Sequence, residues 1–401
     1  METTVSSQSF VQTRIDRNWP DKDSGSFEAF KDLVSQQVDA AQWPLAASVH
    51  KNVLVYDGDA VRQAASTDNT RLALMAEWSD ALLIGPGVFA IRQALPDGTV
   101  IDRATDIFEA LIDEEKRTKS GGGDHFAKPG ANDRVWNVLQ KHCLADPENF
   151  ARYFSGAAFD LACRAWLGDG YQMTAQVNRV NPGGAAQVGH RDYHLGFMTP
   201  ERMMDFPSHV HHLSPMLTLQ AAVAHCDMPL ETGPTQLLPF SQKFFEGYFA
   251  FSRETFQAYF EAHSVQLALK KGDAVFFNPA LMHAAGANTS KSTYRMANLM
   301  QISSALGRSL ESVDRVAMAL ALYPVLLAGR QSGSFSEAEV DCAIAACAEG
   351  YAFPTNLDND PPVGGLSPMT QAQRTKRALA EERSVDDFAD EIRAHAKTTQ
   401  P

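Results

Sequence analysis

Between residues 171 and 305 the sequence changes from a helical period to a period of two, and this change constrains the fold most. The run "YQMTAQVNRV" (171–180) alternates, which places Gln176 and Asn178 on the same face of a strand. Further strand-like runs, separated by turn residues, occupy 216–226, 263–279 and 294–303. Short strands separated by glycine and proline are typical of an antiparallel barrel or jelly roll. The sequence therefore predicts a mainly β core over 171–305.

The segments on both sides of this core have apolar residues at helical spacing. Residues 31–170 are predicted to be mainly helical, and residues 306–401 return to helix-like patterns. Residues 1–30 are polar, and we expect a loosely held arm there. The core lacks a glycine-rich phosphate loop and strand–helix alternation, which argues against a nucleotide-binding α/β fold. We expect one integrated domain with a β core and helical N- and C-terminal flanks.

A long glycine-rich loop is predicted within the first flank, over residues 118–137. It contains three consecutive glycines and a Pro-Gly pair, which break regular structure. Long loops in compact domains are often functional lids. His125, Phe126 and Trp136 are therefore candidates for substrate contacts; the alternative is a surface connection with ordinary packing residues.

Composition excludes some classes of protein. The net charge of −13 argues against nucleic-acid binding, which requires a basic surface. Five scattered cysteines without a Cys-x-x-Cys pair indicate reduced thiols in an intracellular, cytoplasmic protein. The longest apolar run, 316–329, is too short to span a membrane comfortably and contains Pro324. The helical flanks offer surface on which a homodimer could form.

The run "GHRDYHLGF" (189–197) predicts part of a metal site. His190 and Asp192 are two residues apart, so in an extended segment both side chains point to the same face. The best third ligand is His283 in "NPALMHAAGAN", after an apolar strand. Two histidines and one carboxylate on one face of iron leave positions open for oxygen and substrate. The alternative is a polar loop pair that binds no metal.

Arg295 extends this pattern. It lies twelve residues after His283, at the start of an otherwise apolar strand. A buried guanidinium requires an anion, because an unpaired buried charge is costly. A dicarboxylate co-substrate bound in bidentate fashion would supply that anion. The alternative is an exposed arginine at a strand end.

Other histidines offer rival ligands. His209 and His211 in "SHVHHL" are also two apart, but they lack a close acidic partner, and we expect a loop between strands. His194 could replace His190 as a ligand, although the His-x-Asp spacing favours His190. His225 lies on a predicted strand, and we expect it to be packed or hydrogen-bonded.

Taken in order, "GHRDYHLGF", "ETGPTQLLPFSQ" (231–242) and "KKGDAVFFNPALMHAAGANTSKSTYR" (270–295) resemble the phytanoyl-CoA dioxygenase family. The matching residues are His190, Asp192, Gly233, Pro234, Thr235, Pro239, Ser241, Gly272, Asp273, His283, Asn288 and Arg295. The family consists of non-haem Fe(II), 2-oxoglutarate-dependent oxygenases on a cupin-like double-stranded β-helix. The resemblance covers roughly residues 171–305.

The resemblance implies specific roles. Iron(II) would be held by His190, Asp192 and His283, and 2-oxoglutarate and O₂ would be the co-substrates. The far carboxylate of 2-oxoglutarate would bind Arg295.

The sequence departs from the family pattern at two positions. Gln242 replaces a histidine that is not a ligand, and Ala285 replaces a serine that often binds the co-substrate. Other polar residues would then contact 2-oxoglutarate, and the candidates are Gln176, Asn178, Thr218 and Gln220.

The implied reaction is oxidation of a C–H bond in a small organic metabolite, with secondary metabolism as one setting. Hydroxylation, desaturation, epoxidation and oxidative cyclisation all remain open. Asp192 argues against halogenation, because halogenating relatives have a small residue there. Two alternatives also remain: a non-redox hydrolase that uses zinc through the same triad, and a ligand-binding protein without chemistry.

Overall fold

The computed structural model describes residues 7–118 and 130–400. His125 and Phe126 of the predicted substrate loop lie outside the described residues. The strands are β1 (Ser48–His50), β2 (Val53–Asp57), β3 (Val88–Arg92), β4 (Asn132–Val135), β5 (Gln172–Val180), β6 (Thr218–Ala224), β7 (Gln236–Leu238), β8 (Ala274–Phe277), β9 (Met282–Ala284) and β10 (Arg295–Ser303).

Helices surround these strands. They are α1 (Ser7–Asn18), α2 (Phe27–Val34), α3 (Gly58–Ala64), α4 (Asp68–Leu83), α5 (Gly98–Thr118), α6 (Val138–Ala145), α7 (Pro147–Phe154), α8 (Ala157–Leu167), α9 (Pro200–Met203), α10 (Ser208–Leu213), α11 (Gly247–Ala250), α12 (Glu254–His263), α13 (Arg315–Ser332), α14 (Glu337–Cys347), α15 (Gln371–Ala380) and α16 (Val385–Thr398). No helix in the described ranges is both long and apolar enough to cross a membrane.

Most strands belong to one mixed sheet in the order β1-β2-β3-β8-β6-β10-β5-β4. Its pairs are antiparallel except β2 with β3. A second, two-stranded sheet pairs β7 with β9, so that Leu237 lies opposite His283. The predicted β core is therefore present, and helices lie on both sides of it in sequence.

Four strands of the main sheet, β1 to β4, lie within residues 31–170, where the periodicity indicated mainly helix. The two faces of β2 and β3 pack into different apolar clusters: Leu54 and Phe89 lie in one, and Val53 and Val88 in the other. A strand buried on both faces has no polar alternation, so period two does not reveal it. Because strands from both sides of residue 171 hydrogen-bond to each other, that position is not a structural boundary.

The two faces of the sheet have different roles. The outer face packs against helices, with Trp78 stacked on Phe89 at a centroid separation of 4.9 Å and Phe89 stacked on Phe276 at 5.3 Å. The inner face carries a smaller apolar cluster together with the polar side chains of β5, β6 and β10. The helical side therefore supplies the main core, and the inner face is left to form a cavity.

The described part of the N-terminal arm begins at residue 7 and has contacts with the rest of the protein. It contains α1, and Arg253 donates hydrogen bonds to the carbonyl oxygens of Lys22, Ser24 and Gly25. Phe30 follows directly and is buried in an apolar cluster. Backbone carbonyls that satisfy a distant guanidinium leave no periodic signal in the sequence.

Candidate metal centre and cavity

His190 and His283 are placed by backbone pairing. They form an antiparallel bridge in which each backbone N–H donates to the other's carbonyl oxygen, both at 2.9 Å. The two rings therefore lie side by side, with centroids 4.5 Å apart. The backbone N–H of Asp192 donates to Pro279 at 2.9 Å, which fixes the third residue against the same segment.

The side chains of this triad present their donor atoms to one point. Nδ1 of His190 donates to the carbonyl of Val188 at 2.9 Å, and Nδ1 of His283 donates to that of Leu281 at 2.8 Å. Each Nε2 is left as the bare nitrogen, facing the Asp192 carboxylate at 3.9 and 3.7 Å. One donor atom from each residue lies within 4.8 Å of the others. This donor set fits a single divalent ion with open positions.

The imidazole of His283 is held neutral. Burial, with the neighbouring His190, lowers the pKa of His283 to about 4. A neutral imidazole is the form that binds a metal ion.

Arg191, between two triad residues, explains why this loop holds its shape. In an extended segment its side chain points opposite to those of His190 and Asp192. The buried guanidinium donates to the carbonyl of Ser241 at 2.8 Å, to that of Phe244 at 3.1 Å and, through Nε, to that of Ala280. Arg191 thus ties the loop to the segments before α11 and before β9.

Gln220 on β6 contacts the triad directly. Its amide nitrogen donates to Oδ2 of Asp192, while its own Oε1 is buried without a hydrogen-bond partner among the described residues. An amide in this position orients the carboxylate, as outer partners of metal ligands commonly do. The expected contact of Gln220 was with the co-substrate; in the structure its amide nitrogen donates to Asp192, a candidate metal ligand.

Other residues of the family-like motifs support the backbone. Asp273 is buried and accepts hydrogen bonds from the backbone of Gln93 at 2.9 Å and of Lys270 at 2.8 Å. Ser241 accepts from the backbone N–H of Met282, next to His283, at 2.7 Å. Gly233 has a φ of +71°, and a Cβ there would lie 2.3 Å from the carbonyl oxygen of Ala287. These residues shape the segments that carry the triad.

Arg295 is buried, which excludes the alternative of an exposed arginine at a strand end. Its Nε donates to the carbonyl of Thr232 at 3.0 Å, and its Nη2 has no hydrogen-bond partner among the described residues. No carboxylate in the described ranges lies within ion-pair distance of this guanidinium. Burial lowers the pKa of Arg295 to about 10, and it remains charged at neutral pH. The site suits an anionic ligand.

Arg134 is a site residue that sequence analysis missed. It is buried on β4, donates to Oε1 of Gln176 at 3.0 Å, and lies opposite Asn178 in the sheet. Its charge adds to the lowering of the pKa of Arg295. Two guanidiniums and two amides thus meet at one end of the inner face. In the sequence, Arg134 is one arginine in a loop-like stretch, and no local pattern distinguishes it from surface arginines.

The register separates Thr218 from this group. Thr218 pairs with Ser303 at the end of β10, and Arg295 is at its start. Eight residues of strand span about 26 Å at ~3.3 Å per residue. The Thr218 hydroxyl instead lies 3.0 Å from Nδ1 of His194. One small dicarboxylate anchored on Arg295 cannot reach Thr218, so its expected role with 2-oxoglutarate is corrected.

One cavity of about 780 Å³ connects these groups. The candidate residues on its wall are Arg134, Trp136, Gln176, Asn178, His190, Asp192, Thr218, Gln220, His283 and Arg295. Ala285 also lines it, and its backbone N–H donates to the side chain of Gln187 at 3.2 Å. Gln187 therefore supplies a polar group beside the position where the family often has serine.

The rival histidines are placed elsewhere. "SHVHHL" forms helix α10 instead of the expected loop, and the ring of buried His211 bonds Tyr193 and Phe206. His225 is buried between Tyr153 and Thr105 at 2.8 Å each, as expected of a hydrogen-bonded histidine. Among the described residues, the triad is the one group of three or more possible ligands that could hold a metal ion.

Comparisons with solved structures found similar chains at low identity. The α-ketoglutarate-dependent epimerase SnoN from nogalamycin biosynthesis is 18% identical, with a TM-score of 0.39, covering 58% of this chain and 84% of that one. The carbocyclase SnoK from the same biosynthesis is 18% identical, with a TM-score of 0.43, covering 60% and 86%. A SnoN complex with Fe³⁺, α-ketoglutarate and nogalamycin RO is 17% identical, with a TM-score of 0.39, covering 58% and 85%. No curated protein matches the chain.

The family model for phytanoyl-CoA dioxygenase matches residues 85–297, slightly more than half of the chain. The match includes the triad and Arg295, and it sets aside the hydrolase and binding-protein alternatives. This chain belongs to the phytanoyl-CoA dioxygenase (PhyH) family and is an Fe(II)- and 2-oxoglutarate-dependent oxygenase.

Proposed function

We propose that the protein oxidises a C–H bond of a small organic molecule, with iron held by His190, Asp192 and His283. Hydroxylation, desaturation, epoxidation and oxidative cyclisation are the outcomes that this site could support. The observation that supports the proposal is a single cavity whose lining includes the three side chains with convergent donor atoms and a buried guanidinium without a carboxylate partner among the described residues. We also propose that the two sheets together form the double-stranded β-helix of the family.

The cationic end of the cavity is the proposed site for 2-oxoglutarate. Arg295 would bind the far carboxylate, with Arg134 adding positive charge and Asn178 offering an amide. The buried Oδ1 of Asn178 and Nη2 of Arg295 have no partners among the described residues. A bound carboxylate would accept from Nη2, and a water molecule held beside it would donate to Oδ1. When bound, the iron and co-substrate supply dioxygen activation and the conversion of 2-oxoglutarate to succinate and carbon dioxide.

The chain's own residues would position and shield this chemistry. Gln220 orients the Asp192 carboxylate, and the carbonyls of Val188 and Leu281 fix the tautomers of the two histidines. Phe277, with its ring 4.8 Å from that of His283, and Leu299 form apolar wall beside the triad. This wall limits water near the reacting C–H bond, and substrate positioning supplies the rest of the protein's contribution.

An anaerobic titration tests the proposal before any substrate is known. Metal-free protein receives Fe(II) and then 2-oxoglutarate, and the visible metal-to-ligand charge-transfer band of the chelate is measured. We expect a band that disappears in His283→Ala and requires more 2-oxoglutarate in Arg295→Ala. His209→Ala, on the surface of α10, is the matched control and should leave the band unchanged. A folded, iron-loaded wild type without the band would overturn the proposal.

A further inference from the structure

The cavity has a second charged end, opposite Arg295. β10 begins at Arg295 and ends at Ser303, and the chain then carries Arg308, Leu310 and Glu311 back to the cavity wall. β4 runs antiparallel to β5 and therefore parallel to β10, so the residues that follow it, Trp136 and Asn137, lie towards the same far end. Glu311 lines the cavity there; the ring of Trp136 also lines the cavity, but it lies 5.3 Å from the guanidinium of Arg134.

Glu311 is a carboxylate with one oxygen satisfied and one not. Its Oε1 accepts the backbone N–H of Asn137 at 2.6 Å. Its Oε2 is buried and has no hydrogen-bond partner among the described residues. Burial raises the pKa of Glu311. A buried carboxylate oxygen without a donor costs free energy that a bound ligand could recover.

Neither cation near this end, Lys141 or Arg308, forms an ion pair with Glu311 among the described residues, although the charge of Lys141 partly offsets the effect of burial on the pKa of Glu311. Nζ of Lys141 pairs with Glu115 at 2.7 Å. Arg308 lines the cavity but is exposed, and in the described part of the chain it forms no ion pair with Glu311. Water stabilises the exposed guanidinium of Arg308, whereas Oε2 of the half-buried Glu311 is shielded from water. A ligand that donates to this oxygen is therefore favoured more than one that binds Arg308.

Part of the wall of this cavity is apolar, between the triad and Glu311. Val188, Phe197 and Leu310 line the cavity although their side chains remain more than half exposed. The ring of Phe197 also meets that of His190 edge to face, with centroids 5.6 Å apart. Exposed apolar side chains at a cavity mouth mark a place where an apolar ligand is covered on binding.

We propose that the substrate is an apolar molecule with a basic amine, and that its ammonium group binds the Glu311 carboxylate. This proposal rests on the proposed function, because it names the substrate class of the same cavity. The apolar part of the substrate lies against Phe197 and Leu310, and its amine is held at the end away from Arg295. The cavity then separates two ligands by charge: a dicarboxylate at one end and a cation at the other.

A matched pair of probes tests the proposal in the full-length protein without added metal. Calorimetry compares 3-phenylpropylamine with 3-phenylpropan-1-ol, which have the same ring and chain length. A charge-assisted hydrogen bond predicts that the amine binds about tenfold more tightly, or better. Glu311→Gln keeps an acceptor for Asn137 and should abolish the preference, whereas the control Glu254→Gln, on the surface of α12, should retain it.

The outcomes are distinguishable from failure of the iron and 2-oxoglutarate proposal, because the metal takes no part in this measurement. Equal binding of amine and alcohol by wild type, or no binding of either, would overturn the amine proposal. This comparison uses the wild-type protein alone and does not depend on the folding of a variant. A preference that persists in Glu311→Gln would also overturn it. The far-UV circular dichroism and thermal unfolding midpoint of Glu311→Gln should equal those of wild type, which shows that the variant is folded.

Discussion

His190 and His283 exchange both backbone hydrogen bonds of an antiparallel bridge, so that backbone pairing places the two imidazoles side by side. The pairing leaves little freedom in their relative position, since a register slip of one residue would turn one ring to the opposite face. The orientation of each ring is then fixed by a hydrogen bond from Nδ1 to the carbonyl oxygen two residues earlier. The two nitrogens that face Asp192 are therefore set by local backbone geometry before any ion binds.

Arg191→Met should destabilise the protein. The substitution removes the guanidinium that donates to the carbonyls of Ser241, Phe244 and Ala280. The first two keep a backbone donor, whereas the Ala280 carbonyl loses the donor that Arg191 supplied, and a buried acceptor without a donor costs about 1–3 kcal/mol. Urea denaturation should show a lower free energy of unfolding, and the Fe(II) affinity should fall because the triad loop loses its anchor. Arg202→Met, an exposed arginine on α9, is the control. Unchanged stability in Arg191→Met would contradict this account of the loop.

Gly247→Ala should act through the same arginine. A Cβ at Gly247 would lie 1.6 Å from Nη1 of Arg191, so the guanidinium must move. Thermal unfolding should show a large loss in Gly247→Ala but only a small further loss when it is added to Arg191→Met, because coupled sites are not additive. Gly156→Ala is the control, since its nearest atom would be 3.9 Å away. Fully additive effects would mean that the two residues act independently.

Gln220→Leu should weaken metal binding while leaving the triad intact. The variant removes the amide that donates to the Asp192 carboxylate. Loss of an outer hydrogen-bond partner typically lowers metal affinity by about 10–100-fold. Competition with a chromogenic chelator measures the Fe(II) affinity, and Gln236→Leu on β7 serves as the control. An affinity equal to wild type would show that Asp192 does not need this contact.

Arg134→Gln should raise the 2-oxoglutarate concentration needed for half-saturation by about tenfold, because one of two cations at that end is removed. Fe(II) binding should stay the same. The charge-transfer band provides the measurement. Arg308→Gln removes a cation from the opposite end of the same cavity and should have no effect on 2-oxoglutarate. Equal effects of the two variants would argue against the assigned direction of the co-substrate.

The stability should fall in mild acid because of two buried histidines. Burial lowers the pKa of His225 to about 3 and of His142 to about 4, from 6.5. Below pH 6.5 the unfolded chain binds protons that the folded protein does not. The contribution of these two histidines to the free energy of unfolding is therefore fully present above pH 6.5 and is lost as the pH falls towards 4. The slope is at most about 1.4 kcal/mol per pH unit for each histidine.

Chemical denaturation between pH 7 and 5 measures this slope. His225→Asn should reduce it, whereas His50→Asn, on the exposed strand β1, should not. A stability that does not change over this range would refute the assignment of neutral buried histidines.

The sequence by itself determined the β core and indicated the candidate ligand pattern. The His-x-Asp spacing is a local property of an extended segment, and Arg295 was conspicuous as a charge in an apolar strand, so both could be read without coordinates. The alternation over 171–180 likewise corresponds to β5.

Only the tertiary structure decided which residues share a space and what each side chain contacts. β2 and β3 escaped prediction because they are buried on both faces, and Arg134 gained its place through pairing with β5. Gln220 and Thr218 are two residues apart on one strand, yet one contacts Asp192 and the other His194. Glu311 likewise becomes a candidate ligand group only because the chain after β10 returns it to the cavity. These relationships depend on long-range register and packing, which the local periodicity of a sequence does not contain.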